Sequence, residues 1–246
     1  MRKIQKALRT IAYGTLFGLA LFLYLFNVPQ EQRVLHSADK LSSSYTINEK
    51  QAVRHSVNSA VQVFSIKQGE FSLSSLSGTY FTHADKFYVL TSAHGIIGGC
   101  PLIRVSHLKE QSNCVEITFI DHKKDYAVIE VAQMITRNPI KIPRRLANPK
   151  KSFNLLDKVY YTGYPNSVGP TTWTGTIAGL GADYLILQSY AWSGASGSGV
   201  FDEKGDLIGI VMALDVGRTQ YGLQILNNFV IVVPTWNVDW HQVFME

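Results

Sequence analysis

A chain of 246 residues, 46% hydrophobic and 17% charged, can bury a core of its own, and that composition excludes disorder throughout. The formal charge is +5, but Arg2, Lys3, Lys6 and Arg9 supply four of those charges and leave +1 for everything after them. So neutral a body lacks the concentrated basic face that nucleic acids require, and no nucleic-acid partner is expected.

In chain order, residues 1–9 form a basic tail, and Thr10 to Gln30 carries no charge. Ile11 to Val28 is almost wholly apolar, and at about 1.5 Å per residue it just spans a hydrocarbon core of about 30 Å. Basic residues lie only on its N-terminal side. The expectation is a transmembrane signal anchor over 10–29, with residues 1–9 cytoplasmic and the rest periplasmic or extracellular. A cleaved signal peptide is the competing reading, but Phe26-Asn27-Val28-Pro29-Gln30 offers no small-x-small cleavage site.

Residues 30–52 are polar and mixed, and read as a linker, either a tether or a short helix. From 53 onward the texture turns to short β-rich segments broken by Gly, Ser, Asn and Pro. One set of candidate strands covers 57–66, 78–82, 87–91, 102–106, 115–120 and 126–131. A second covers 158–162, 171–180, 184–188, 199–201, 207–212, 221–225 and 228–233. Short strands at regular spacing argue for a sandwich or barrels. Between the sets, Arg137 to Asn154 holds three prolines and several basic residues and reads as a second linker. Pro234 to Phe244 is expected to form a short C-terminal helix with proline at its start.

Cys100 and Cys114 are the two cysteines, and they close a loop of 15 residues. Outside the cytoplasm a disulfide between them is chemically permitted. It would contribute roughly 3 kcal/mol on the chain-entropy model. Two free thiols are the alternative. Metal binding is poorly supported, since His107 alone lies between them and there is no second Cys pair.

Three segments carry chemistry. In the first, the apolar run Val89-Leu90 passes through Thr91-Ser92-Ala93 to His94, and the small residues leave an imidazole free at a strand end. In the second, Asp125 opens the apolar strand Tyr126–Val131. A buried carboxylate at such a strand end can hold an imidazole in one tautomer and stabilise its cation. The third is Ser193-Gly194-Ala195-Ser196-Gly197-Ser198-Gly199, flanked by Trp192 and by a β run. Glycines on both sides of Ser196 let backbone N–H groups converge on one spot, as an oxyanion hole requires. Ser198 excludes the G-x-S-x-G elbow, and the missing Lys-Ser/Thr excludes a Walker loop.

These blocks, in the order His94, Asp125, Ser196 and separated by 31 and 71 residues, resemble the three signatures of chymotrypsin-fold (trypsin-like) serine proteases. Thr162-Gly163-Tyr164-Pro165, Thr174-Gly175-Thr176-Ile177, Gly205–Val211 and Val230–Pro234 are similar to the second barrel of bacterial HtrA-like proteases. The resemblance spans about 53 to 240, and no PDZ domain is expected after it. Ala195 stands where relatives often carry Asn or Asp, and Gly95 where secreted digestive members carry Cys.

The resemblance implies an all-β fold of two packed Greek-key β-barrels, chymotrypsin-like, with the N-terminal transmembrane helix and short C-terminal helix attached. Barrel one would cover about 53–136, a linker 137–154, barrel two 155–233 and the helix 234–244, all within a protease domain of 53–246. The implied activity is that of a membrane-anchored serine endopeptidase acting on protein or peptide substrates through an acyl-enzyme. Ser196 would be the nucleophile, His94 the general base and then acid, and Asp125 the orienting carboxylate. The N–H groups of Gly194 and Ser196 would form the oxyanion hole, preformed or awaiting a signal. The resemblance puts Tyr190 at the base of the substrate pocket, with Met212, Ala213 and Leu214 along one wall and beside the substrate backbone. None of these is acidic, so small or medium apolar residues are favoured over Lys or Arg. No metal or organic cofactor is implied. A silent protease fold serving as a tethered binding module, and an unrelated β-rich structural protein, are the alternatives.

Overall fold

The computed structural model describes residues 44–69, 72–142, 153–219 and 222–244. The expected basic tail, the anchor over 10–29 and most of the first linker lie outside those residues. Among the described residues, no helix is long and apolar enough to cross a membrane.

The first described element is a helix, α1 (Ile47–Ser59). Its start is a reciprocal cap: the Glu49 N–H donates to Thr46 Oγ1 at 3.2 Å, and the Thr46 N–H donates to the Glu49 carboxylate at 2.7 Å. Two N–H groups that a helix terminus would otherwise leave unpaired are thereby satisfied. Ala52, Val53 and Val57 then form one apolar face packed on Tyr160. The sequence expectation began a strand at Val57. The helix instead runs through Ser59, because a capped start and a buried face outweigh the β preference of a branched residue.

Six strands follow: β1 (Ala60–Ile66), β2 (Leu73–His83), β3 (Lys86–Thr91), β4 (Ile103–His107), β5 (Glu110–Asp121) and β6 (Tyr126–Val131). They close in the order β1-β2-β3-β6-β5-β4. A two-residue strand, β7 (Ile140–Lys141), lies parallel to β2 inside the expected second linker. The second barrel comprises β8 (Lys158–Gly163), β9 (Thr171–Leu180), β10 (Leu185–Gln188), β11 (Gly199–Asp202), β12 (Leu207–Thr219) and β13 (Gly222–Pro234). It closes in the order β8-β9-β10-β13-β12-β11. Both barrels follow one scheme, with the fourth strand lying beside the first as in a Greek key. The two strands expected at 221–225 and 228–233 are one, β13.

Each barrel has its own core, and alternation along β6 shows how they join. Ala127, Ile129 and Val131 point into barrel one, while Tyr126 and Val128 enter a cluster with Leu90, Phe201 and Ile210 that spans both barrels. With both faces of β6 buried, its sequence is apolar almost throughout rather than alternating. Each buried Val or Ile of β6 contributes about 1.5–3 kcal/mol by burial. The C-terminal helix is shorter than expected: β13 runs through Pro234, a single tight turn follows, and α2 covers only Trp240–Phe244. Its Val243 is buried in the same joint cluster.

Cys100 and Cys114 are joined in a disulfide, their Cα atoms 5.4 Å apart, tying the turn Cys100–Leu102 to β5.

Candidate active site

Sheet register brings His94 and Asp125 together. Strands β3 and β6 run antiparallel with Thr91 opposite Ala127, so the chain leaving Thr91 passes the chain entering Ala127. Past Thr91 the backbone folds into a tight turn, Ala93–Gly95, with Ala93 fully buried and His94 half-exposed at the rim. Across from it, the Asp121 carboxylate accepts from the Lys123 and Lys124 N–H groups at 2.8 and 2.9 Å and shapes the turn between β5 and β6. That turn ends at Asp125 with φ of 55°, a left-handed conformation that Asp tolerates better than most residues.

The two residues are held at two points. The His94 backbone N–H donates to Asp125 Oδ1 at 2.8 Å, and His94 Nδ1 lies 2.8 Å from Asp125 Oδ2. The carboxylate therefore fixes Nδ1 as the protonated nitrogen and leaves Nε2 as the acceptor in the neutral ring. That hydrogen bond, aided by the carboxylate charge, raises the His94 pKa above its ordinary value, and partial burial opposes the rise.

Ser196 arrives from barrel two on the loop between β10 and β11. The loop folds as two successive tight turns, with the Ala195 N–H donating to the Trp192 carbonyl at 2.9 Å and the Ser198 N–H donating to the Ala195 carbonyl at 3.0 Å. Gly194 and Gly197 have φ of 91° and 87°. Both positions favour glycine, and a Cβ on Gly197 would collide with the Ser77 carbonyl. The Ser77 N–H holds the Ser196 carbonyl at 2.8 Å. Within the described residues the Gly194 and Ser196 N–H groups donate to no acceptor.

The Ser196 hydroxyl donates to the Met212 carbonyl at 3.0 Å, not to the His94 imidazole. Met212 is the residue at which the pairing of β12 with β13 shifts register, a bulge that turns its carbonyl toward the Ser196 loop. His94, Ser196 and Met212, with Ala191, Trp192, Ser193, Ala195 and Val211, line one cleft of about 410 Å³ between the barrels.

Tyr190, expected at the base of the substrate pocket, does not line this cleft, and its side chain is 63% exposed. Its neighbours Ala191 and Trp192 do. The chain is turned at this point by Tyr161, whose buried hydroxyl donates to the Tyr190 carbonyl at 2.5 Å. Ala213 and Leu214 continue β12 opposite Ile231 and Val230. β11 pairs with β12 only as far as Ile210, so the other edge of β12 is unpaired by β11 from Met212 onward.

Sequence reasoning missed Ser77, which lay in a serine-rich run with no motif, and Ser92, whose buried hydroxyl donates to the Val211 carbonyl at 3.1 Å. It also missed Trp192 as a cleft wall. A large aromatic beside a Gly/Ser loop was the one available signal for that role.

A family model described as "Trypsin-like peptidase domain" matches residues 76–210. None of the curated protein sequences matches the chain. Among solved structures, "HtrA-type protease AlgW with tripeptide" is similar with a TM-score of 0.59 at 21% identity, over 78% of this chain and 62% of that one. The serine endoprotease from Yersinia pestis is similar with a TM-score of 0.61 at 23% identity, over 81% of this chain and 68% of that one. The chain thus spans less than two thirds of the length of the AlgW chain.

Proposed function

The chain belongs to the trypsin-like peptidase domain family, and from that premise we propose that it is a serine endopeptidase using Ser196, His94 and Asp125. One observation carries the reading: His94, doubly held by Asp125, shares a cleft with Ser196, and among the described residues the Gly194 and Ser196 N–H groups are unclaimed.

On this reading a peptide lies along the free edge of β12 and adds to it as a strand. The Ser196 hydroxyl turns from the Met212 carbonyl to His94 Nε2, a movement in keeping with catalytic hydrogen bonds that tighten only when substrate is bound. As Ser196 Oγ attacks the scissile carbonyl carbon, its proton passes to Nε2. The oxyanion forms beside the Gly194 and Ser196 N–H groups, each worth roughly 3–4 kcal/mol of transition-state stabilisation. Asp125 stabilises the imidazolium, which then gives its proton to the departing amine and leaves an acyl-Ser196. Water, deprotonated by His94, releases the acyl group and restores the serine.

Specificity follows from the cleft walls. Ala191, Trp192, Val211 and Met212 are apolar, and none of the described residues lining the cleft is acidic. We therefore assign preference for small or medium apolar side chains at the residue preceding the cut bond. Strict cleavage after Lys or Arg in a peptide library would refute this.

Anchoring is a further part of the proposal. The uncharged run after a basic tail supports a single membrane span with its N-terminus in the cytoplasm, and the Cys100–Cys114 disulfide fits a domain in an oxidising compartment. Accessibility of the domain to added protease in intact cells or spheroplasts tests the topology, and complete protection would reject it. The activity itself is tested by hydrolysis of an apolar peptide library, with turnover abolished in Ser196→Ala. Equal rates in both proteins would reject the assignment.

A further inference from the structure

Four successive carbonyls of the nucleophile loop are each anchored. Ser193 O accepts from the Asn166 N–H at 2.7 Å, and Gly194 O from Ser77 Oγ at 2.7 Å. Ala195 O accepts from the Ser198 N–H at 3.0 Å and from Ser198 Oγ at 2.6 Å, and Ser196 O from the Ser77 N–H at 2.8 Å. In a trans peptide the N–H points opposite to the preceding carbonyl. The anchors on Ser193 O and Ala195 O thus set the directions of the Gly194 and Ser196 N–H groups. Those on Gly194 O and Ser196 O lock the peptides between and beyond them.

Two of these four anchors come from one residue of the other barrel. Ser77, on β2, is fully buried. Its hydroxyl accepts from the Tyr164 N–H at 2.8 Å while donating to Gly194 O, so one oxygen links the nucleophile loop to the segment that carries Asn166. Its own carbonyl accepts from Thr91 Oγ1 at 2.6 Å, on the strand that leads to His94. A hydroxyl is well suited to this place because it donates and accepts at once.

We propose that Ser77 is a positioning residue for hydrolysis: it holds the peptide planes of the oxyanion loop in register with the strand that presents His94. The proposal rests on the serine-peptidase reading of the cleft. Removing the hydroxyl frees Gly194 O, takes this acceptor from the Tyr164 N–H, and lets the Gly194–Ala195 peptide, which joins the two peptides that carry the hole N–H groups, reorient. Substrate binding along β12 does not involve these contacts.

The test uses the full chain, as wild type, Ser77→Ala, Ser77→Cys and Ser196→Ala. It measures thermal melting, kcat and KM on an apolar peptide substrate, and the affinities of a peptide aldehyde and of the matching peptide acid. The aldehyde forms a hemiacetal whose oxygen needs the oxyanion hole, whereas the acid reports ground-state binding. Expected for Ser77→Ala is cooperative melting, a kcat lower by roughly 10- to 100-fold, KM within about twofold, and weaker aldehyde but unchanged acid binding. Unchanged kcat, or equal losses of aldehyde and acid binding, would overturn the proposal. Should Ser77→Ala fail to fold, Ser77→Cys, with its weak donor, decides the matter: a wild-type kcat refutes the positioning role and a selective fall in kcat supports it. Wild-type protein as silent as Ser196→Ala would sink the catalytic reading itself, whereas an active wild type matched by Ser77→Ala sinks only the role of Ser77.

Discussion

His94 and Asp125 are joined by two hydrogen bonds of equal length, 2.8 Å from backbone N–H to Oδ1 and 2.8 Å from ring Nδ1 to Oδ2. The first fixes where the turn carrying the histidine sits, and the second fixes which ring nitrogen carries the proton. A single side chain therefore positions the imidazole and selects its tautomer.

Asp125→Asn preserves size and separates these roles. The amide can still accept from the His94 N–H, but an NH2 facing Nδ1 favours the opposite tautomer. We expect kcat to fall by roughly 10⁴-fold with little change in melting temperature. Steady-state kinetics beside a melting curve checks this, and a loss of folding equal to the loss of rate would argue against it.

The pH dependence follows from the sign of the His94 shift. Asp125 favours the imidazolium, so the His94 pKa is raised, chiefly by their hydrogen bond. In the proposed mechanism His94 must be neutral to accept the Ser196 proton. Accordingly kcat/KM should climb with pH along a limb centred above the ordinary imidazole value of about 6.5. In Asp125→Asn the residual limb should move to lower pH. A wild-type limb centred below 6.5 would contradict the coupling.

Glu49 makes a prediction about stability alone. Its carboxylate accepts from the Thr46 N–H, from Lys158 Nζ at 2.8 Å and from the Tyr160 hydroxyl at 2.8 Å. These partners, the Lys158 hydrogen bond first, lower its pKa from 4.5 to about 2. A depressed carboxylate pKa stabilises the fold above the unfolded value and ceases to do so as pH falls through the folded one. The contribution of Glu49 should therefore be complete above about pH 5 and be lost between about 4.5 and 2. Glu49→Ala removes the side-chain half of the reciprocal cap and leaves the Tyr160 hydroxyl without its carboxylate, so about 1–3 kcal/mol should be lost at neutral pH, with activity of the remaining folded protein unchanged. Denaturant titration at pH 7 and pH 3 measures both effects, and an equal Glu49→Ala penalty at the two pH values would refute the linkage.

The disulfide gives a fourth outcome. Replacing Cys100 and Cys114 together with Ser should cost roughly 3 kcal/mol on the chain-entropy account. The reduced wild type should be weakened similarly. Both bonded residues lie outside the cleft, so kcat of the folded fraction should hold. A thiol titration before and after reduction reads the bond directly.

The sequence made the barrels legible because their strands repeat at short intervals between turn residues, and because β3 and β6 are dense apolar runs ending in His94 and beginning after Asp125. The hidden features are those that depend on distant partners. Helix α1 was half-read as a linker, since its cap is local but its buried face is defined only by Tyr160, more than a hundred residues away. Ser77 carries no local signal, because everything that marks it lies at Tyr164, Gly194 and Ser196. Tyr190 was assigned by its distance in sequence from Ser196. The Tyr161 hydroxyl bonds the Tyr190 carbonyl instead, while Ala191 and Trp192 take the cleft. The direction of the Ser196 hydroxyl is set by a bulge at Met212, which no period-two pattern announces.

The central claim is that Ser196 is a nucleophile activated by His94. Intact-protein mass spectrometry after exposure to a fluorophosphonate tests it most directly. One phosphonyl adduct on the wild type, mapped to the peptide containing Ser196, absent from Ser196→Ala and strongly slowed in Asp125→Asn, is the predicted result. An adduct of the same yield in Ser196→Ala, or none on a folded wild type under conditions that label another serine peptidase, would contradict it.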